Sequence, residues 1–284
     1  MNKDPNITHA PVPEQAPLGK QTEYVSEYDP TLLFPIPRAQ SRSGLAIDVN
    51  DLPFKGVDVW TAYELSWLDM KGKPLVAVAE FHFPCSSLAI VESKSFKLYL
   101  NSFNQTQFES QQAVIDLLQA DLSKACGASI ILHLSSLSEV RWAEIKTLEG
   151  VCVDELDVSI DCYHPEPELL DCVVGAGQVS ETLYSHLLKS NCPVTGQPDW
   201  ASVHICYTGA KICHAGLLKY VVSFREHQDF HEHCVERMFV DIMTRCQPKN
   251  LTVYARYTRR GGLDINPLRS TDEVTVSQPR LVRQ

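Results

Sequence analysis

KLYLNSF at residues 97–103 and LLKYVVSF at residues 217–224 are two versions of one segment. Tyr99 aligns with Tyr220, and Ser102-Phe103 with Ser223-Phe224. Each copy leads into a helical pattern. Upstream, Gly72-Lys73-Pro74 aligns with Gly196-Gln197-Pro198, with a short indel between the two landmarks. Internal similarity of this kind signals a supersecondary unit copied in tandem. The chain therefore reads as two copies of one strand-pair-then-helix module, joined near residue 150. Antiparallel hairpins with helices on one face make an α+β architecture.

Two stretches carry a helical apolar stripe. The first runs from Thr106 to about Ala125, with Val114, Leu117, Leu118 and Leu122 on one side and Gly127 as its stop. Thr106 and Glu109 have capping-box spacing. The second runs from Asp229 to about Arg245, with Phe230, Cys234, Met238 and Ile242 on one face and the same box at Asp229 and Glu232. VSETLYSHLLKS (179–190) reads as a further helix leading into Asn191-Cys192. Strands are expected over KPLVAVAEFHF, SFKLYLNSF, ASIILHLSSL, ASVHICYTG, LLKYVVSF and LTVYARYT.

The 284 residues are 44% hydrophobic and 21% charged, which is ordinary globular composition. No apolar run approaches the roughly 18 residues of a membrane span. The N-terminus, MNKDPNITHAPVPEQAPLGK, is polar and Pro-rich with no apolar h-region, so it does not read as a secretory signal. A net charge of −10 argues against direct tRNA or DNA binding, which needs a basic surface. RYTRR at 256–260 is the strongest local basic cluster. Ten cysteines include no CxxC pair and no Cys/His set with zinc spacing. No metal is therefore expected, and reduced cytoplasmic thiols are.

The differences between the copies point to chemistry. Where the second copy has Cys192 and Asp199, the first has Leu68 and Leu75. Where the first has Glu92-Ser93-Lys94, the second has Cys213-His214-Ala215. Each copy holds polar residues that the other lacks, as one composite site built between them requires.

Cys192 follows a regular element in SNCPVTGQPDW, a segment broken by Pro193, Gly196 and Pro198. Rigid exposed turns often carry catalytic groups. A nucleophilic thiol needs thiolate character, and a nearby carboxylate such as Asp199 suits proton transfer. A buried structural cysteine beside a turn-forming aspartate fits the local pattern equally. Glu232 can accept hydrogen bonds from a heterocycle and His231 can move a proton; Glu232 can also simply complete a capping box. Ser93 and Lys94, placed before an expected strand, could hold a phosphate. Arg259-Arg260-Gly261-Gly262 combines guanidinium charge with backbone that a phosphate can approach. A solvated loop explains either segment as well. Gly175-x-Gly177-x-x-Ser180 mimics a dinucleotide fingerprint, but the third glycine is missing and no βαβ unit follows.

Together, ESKSFKLYLNSFNQTQF (92–108), SNCPVTGQPDW (190–200), FHEHCVER (230–237) and RYTRRGGLDINP (256–267) resemble the NADPH-dependent 7-cyano-7-deazaguanine reductases, the nitrile reductases of queuosine biosynthesis, in their long two-module form. Four motifs in order over nearly the whole chain make the resemblance specific. It implies a tunnelling fold (T-fold) of two tandem modules, residues 45–150 and 151–284, after an N-terminal extension over 1–44. It implies reduction of a nitrile to a primary amine by two NADPH as co-substrate, with no metal. Residue by residue, Cys192 matches the nucleophile that forms a thioimidate and Asp199 the proton donor to nitrogen, with His231 assisting. Val91, Glu92, Ser93, His231 and Glu232 match substrate contacts. Ser93, Lys94, Arg260 and Gly261 match NADPH contacts. The partners it implies are a small-molecule substrate, no nucleic acid, no membrane, and a second copy in a homodimer or other even-numbered homo-oligomer.

Two other classes compete. A pterin-ring hydrolase or synthase of the same fold would need zinc ligands or a different Cys/His set. A purine- or pterin-binding module without catalysis would not need both Cys192 and Asp199.

Overall fold

The computed structural model describes residues 24–138, 144–273 and 280–284. Most of the N-terminal extension therefore lies outside the described residues. The chain runs β1 (Pro35–Pro37), α1 (Arg38–Ser43), β2 (Lys55–Leu68), β3 (Pro74–Pro84), β4 (Ala89–Val91), α2 (Ser93–Asn101), α3 (Gln111–Cys126), β5 (Ile131–Ser135), β6 (Val151–Cys152), β7 (Gln178–Asn191), β8 (Pro198–Ala210), α4 (His214–Ser223), α5 (His231–Cys246), β9 (Asn250–Tyr257) and β10 (Leu263–Ser270). The main sheet has eight strands in the order β5-β3-β2-β10-β9-β8-β7-β6, and β1 pairs with β4 in a small second sheet. Every pair in the main sheet is antiparallel except β6 with β7.

Register decides which face is buried. Trp60 and Ala62 stand opposite Phe81 and Ala79 on one side and Ile265 and Leu263 on the other. Val203 and Ile205 stand opposite Ala255 and Val253. Strand side chains alternate between faces, so these residues share one face, and the helices cover it. Phe96, Tyr99, Val114 and Leu118 of α2 and α3 join the β2–β3 cluster. Leu217, Val221, Met238 and Ile242 of α4 and α5 join the β7–β9 cluster.

Local details recur in the two hairpin-and-helix stretches. Hairpin β2–β3 shifts register between Ala62 and Leu65, and hairpin β7–β8 between Ser185 and Leu188. Gly72 and Gly196 turn the two hairpins at φ 80° and 67°, a left-handed conformation that suits glycine. The Tyr99 hydroxyl donates to Asp121 at 2.7 Å, and the Tyr220 hydroxyl donates to Asp241 at 2.6 Å.

Three expected elements change type. SFKLYLNSF and LLKYVVSF are helical, as α2 and α4, and VSETLYSHLLKS is strand β7. Phe96, Tyr99, Leu100 and Phe103 are buried at helical spacing, which packs one side of α2. The capping boxes also differ. α3 begins at Gln111, with Ser110 Oγ accepting from Ala113 N at 3.1 Å, while Thr106 Oγ1 accepts from Tyr28 N at 2.8 Å. α5 has no side-chain cap. Asp229 accepts from Phe230 N and faces His233 Nδ1 at 3.2 Å.

The seam between the halves is the β2–β10 pairing, where Ile265 faces Trp60. A buried charge network stands behind it. Arg269 reaches Asp58 at 2.7 Å and Glu236 at 2.9 Å, and Arg42 of α1 reaches Glu236 at 2.7 Å. Burial alone would raise the Glu236 carboxyl, yet Arg269 and its neighbours hold it down to about 2.

Candidate active site between the two halves

One cavity, open to solvent on one side, lies at this seam. Its walls come from both halves: Val91 and Ser93 beside α2, and Cys192, Asp199, His231, Glu232 and Arg260 from the second half.

Cys192 and Asp199 flank the β7–β8 turn, next to the paired residues Asn191 and Pro198. The Cys192 N–H donates to the Gln197 carbonyl at 2.9 Å, and the Gly196 N–H to the Cys192 carbonyl at 3.0 Å. The thiol is thus held on a hydrogen-bonded turn, mostly buried but facing the cavity. The incoming α5 chain braces it, because Asn191 N donates to the His227 carbonyl and Asp229 N to the Asn191 carbonyl.

Asp199 is 4% exposed. His231 Nε2 stands 3.3 Å from its Oδ2, and Arg260 donates to Oδ1. Burial would raise this carboxyl, but His231 and the Arg260 guanidinium hold it below the usual carboxylate range. The residue facing the cavity is therefore an ionised carboxylate at neutral pH. The His231 ring lies flat on Tyr257, with centroids 3.7 Å apart and 3° between the planes.

Glu232 is fully enclosed, and its Oε1 has no hydrogen-bond partner. Burial, then the charge of Asp58, pushes its carboxyl upward. An unpartnered buried carboxylate lining a cavity is costly unless a ligand supplies donors.

The other expected residues fall differently. Glu92 is not at the cavity wall. It caps α2, accepting from Lys94 N at 2.8 Å and Ser95 N at 2.7 Å, and burial raises its carboxyl. Lys94 does not line the cavity, while Gly261 lines an adjoining one. Arg260 is engaged with Asp199 and with Gln197 Oε1. Among the described residues no group of His, Cys, Asp and Glu stands together to hold a metal.

Residues without a sequence signal also meet here. Lys97 lines both cavities, and burial, then the charge of Arg260, lowers its ammonium. Reading 93–101 as a helix would have placed Ser93 and Lys97 one turn apart on one face. Trp60, Asp229 and Thr258 line the cavity as well.

Comparisons with known proteins identify the family. A family model described as nitrile reductase, 7-cyano-7-deazaguanine-reductase N-term, matches residues 24–134, and one described as QueF-like protein matches residues 198–275. The NADPH-dependent 7-cyano-7-deazaguanine reductase of Bordetella avium is 60% identical over 90% of this chain and 93% of its own. That of Dechloromonas aromatica is 58% identical over 98% of both chains. The chain belongs to the NADPH-dependent 7-cyano-7-deazaguanine reductase family, a family of oxidoreductases. A solved chain of the archaeosine synthase QueF-Like in the apo form aligns with 34% of this chain and 96% of its own, at 18% identity and a TM-score of 0.30. Membership in the family rests on the full-length relatives. No helix among the described residues is long and apolar enough to cross a membrane.

Proposed function

We propose that this reductase converts the nitrile of 7-cyano-7-deazaguanine to the primary amine of 7-aminomethyl-7-deazaguanine, using two NADPH and a covalent thioimidate on Cys192. The substrate and cofactor are those named for the relatives. The observation that carries the mechanism is that Cys192 and the ionised Asp199 flank one turn and face a cavity that also holds the unpartnered carboxylate of Glu232.

Glu232 accepts the ring N–H and the exocyclic amine of the deazaguanine, which gives its buried Oε1 the donor it lacks. The planar base then lies with its nitrile toward Cys192. Because Asp199 starts ionised, it takes the thiol proton as sulfur adds to the nitrile carbon, and passes that proton to the nitrogen. The sum is addition of S–H across C≡N. When bound, NADPH supplies one hydride to this carbon in each of two reductions. After the first, the C–S bond breaks, Cys192 leaves as a thiolate and an imine stays in the cavity. His231 and Asp199 hold the proton that completes the amine after the second, and another returns to Cys192. Enclosure keeps the imine from hydrolysing.

The residues fit the dinucleotide. Gly261 and Gly262 are left-handed at φ 56° and 70°, and beside them Lys97 and Arg260 crowd two positive charges between the adjoining cavities. A phosphate there would relieve that repulsion. Ser93 and Lys94 open α2 nearby.

The architecture supports a tunnelling fold of two modules dividing near residue 150. Strands β5 and β6 end the sheet without an outer partner among the described residues, which favours closure by a second copy. Ten free thiols suit a reducing cytoplasm. The net charge of −10 suits an enzyme of queuosine biosynthesis that handles a free base rather than tRNA.

Mixing the protein with 7-cyano-7-deazaguanine without NADPH tests the reading. Intact-mass and peptide spectra should place one adduct on Cys192, with near-ultraviolet absorbance. An adduct that persists in Cys192→Ala rules the mechanism out.

A further inference from the structure

Strands β9 and β10 pair where Leu268 faces Tyr254, Arg269 faces Val253 and Ser270 faces Thr252. Beyond that they part. β9 stays on β8, where Tyr257 faces Ala201, and β10 stays on β2, where Leu263 faces Ala62. The parting lets Thr258, Arg260 and Leu263 line the cavity. It also leaves the backbone of Tyr257 without ladder partners on its β10 side, inside a fully buried residue.

Two side-chain amides fill the gap. Tyr257 N donates to Asn266 Oδ1 at 3.1 Å, and Gln284 Nε2 donates to the Tyr257 carbonyl at 3.1 Å. Gln284 Nε2 also donates to Asn266 Oδ1 at 2.9 Å, which locks the two amides together. Gln284 Oε1 accepts from Arg256 Nε at 2.8 Å and from Leu281 N at 3.3 Å. Asn266 Nδ2 donates to Asp264 Oδ1 at 2.5 Å and to the Val59 carbonyl at 3.4 Å. Both amides thus use every donor and acceptor position they have. Satisfied buried networks fix geometry, and this one is anchored on β2, β9, β10 and residues 280–284.

The ring that this backbone carries is the one on which His231 lies flat. We propose that Asn266 and Gln284 are positioning residues of the active centre: they replace the missing ladder bonds at Tyr257, fix its ring, and through the ring hold the His231 imidazole against Asp199. The inference rests on the role given to His231 above. It also explains why a parted sheet seam, a weak point in any sheet, can support a precisely aligned proton-transfer pair.

Gln284 is buried, so thermal melts are needed to separate lost alignment from lost folding. Gln284→Glu keeps the length and the acceptor for Arg256 but loses both donated bonds, while Gln284→Ala loses all of them. Full-length wild type and both variants are assayed for NADPH oxidation with 7-cyano-7-deazaguanine across pH, alongside thermal melts. The expected result is a kcat lower by about ten- to a hundredfold in both variants, since small misplacements of a catalytic group cost that much. KM for the nitrile should stay within about twofold, and the pH dependence of kcat should change. Wild-type kcat with an unchanged pH profile overturns the inference. So does a kcat loss that matches the loss of folded protein at the assay temperature. A wild type that neither forms the adduct nor oxidises NADPH overturns the proposed reaction instead, which keeps the two failures apart.

Discussion

His231 Nε2 stands 3.3 Å from Asp199 Oδ2, and the two side chains are 14% and 4% exposed. Arg260 donates to the same carboxylate, and with His231 it holds Asp199 below the usual carboxylate range despite its burial. Replacing His231 by Ala should therefore lower kcat by about 10²–10⁴-fold, the usual worth of general acid–base catalysis. Adduct formation on Cys192 should survive, because Asp199 remains ionised beside Arg260. Stopped-flow absorbance and steady-state NADPH oxidation separate the two steps. A His231→Ala variant that turns over at the wild-type rate would remove His231 from proton transfer.

Glu232 trades stability for recognition. Its Oε1 is buried without a partner, and its carboxyl is pushed up by burial and by Asp58. Glu232→Leu removes that liability, so the ligand-free protein should melt at a higher temperature. Losing two hydrogen bonds from a charged acceptor, at roughly 1.5–3 kcal/mol each, should weaken substrate binding by about 10²–10⁴-fold. Calorimetric titration against thermal melts checks both signs. Unchanged affinity would exclude Glu232 as the reader of the base.

The landmarks legible in sequence were those with one local cause. Gly72 and Gly196 mark hairpin turns because the turns need a left-handed residue, and the contrast of Leu68 and Leu75 with Cys192 and Asp199 sits on those turns. Element type was less legible. In β7 the register shift between Ser185 and Leu188 breaks the period of two, so the segment mimics a helix. In α2 the run Leu98-Tyr99-Leu100 looks strand-like until Phe96 and Phe103 are counted with it. Partners distant in sequence were not legible at all. Arg260 meets Asp199 across 61 residues, and Arg42 meets Glu236 across 194. Only tertiary structure brings them together, so a Pro-rich extension without motifs supplied a cation to the core.

The two tyrosine–aspartate pairs of the repeat are not equivalent. Asp241 takes the Tyr220 hydroxyl at 2.6 Å, and burial raises its carboxyl. Asp121 takes Tyr99 at 2.7 Å and also Tyr28 at 2.7 Å. Tyr220→Phe should cost about 1–3 kcal/mol, because it leaves a buried carboxyl less satisfied. Tyr99→Phe should cost less, since Tyr28 remains. Urea unfolding of both variants checks the order. Equal losses, or the reverse order, would show that Tyr28 does not compensate.

Glu236 links the N-terminal helix to the sheet seam through Arg42 and Arg269, all of them buried. Removing one member of such a network strands the opposite charge, so Glu236→Gln should cost about 3–5 kcal/mol at neutral pH. The acid side has a definite sign. The folded carboxyl is held down to about 2 from 4.5, so the unfolded chain binds this proton more readily. Stability from Glu236 is present above 4.5 and is lost as pH falls through that value toward about 2. Asp58 and Asp229, also lowered, act in the same direction, whereas Glu232 and Glu92, raised by burial, act against it. Urea midpoints at pH 7 and pH 3 should therefore fall steeply between the two in the wild type and less steeply in Glu236→Gln. A variant that keeps the full wild-type slope would place the acid sensitivity elsewhere, with Asp229 between His227 and His233 as the next group to replace.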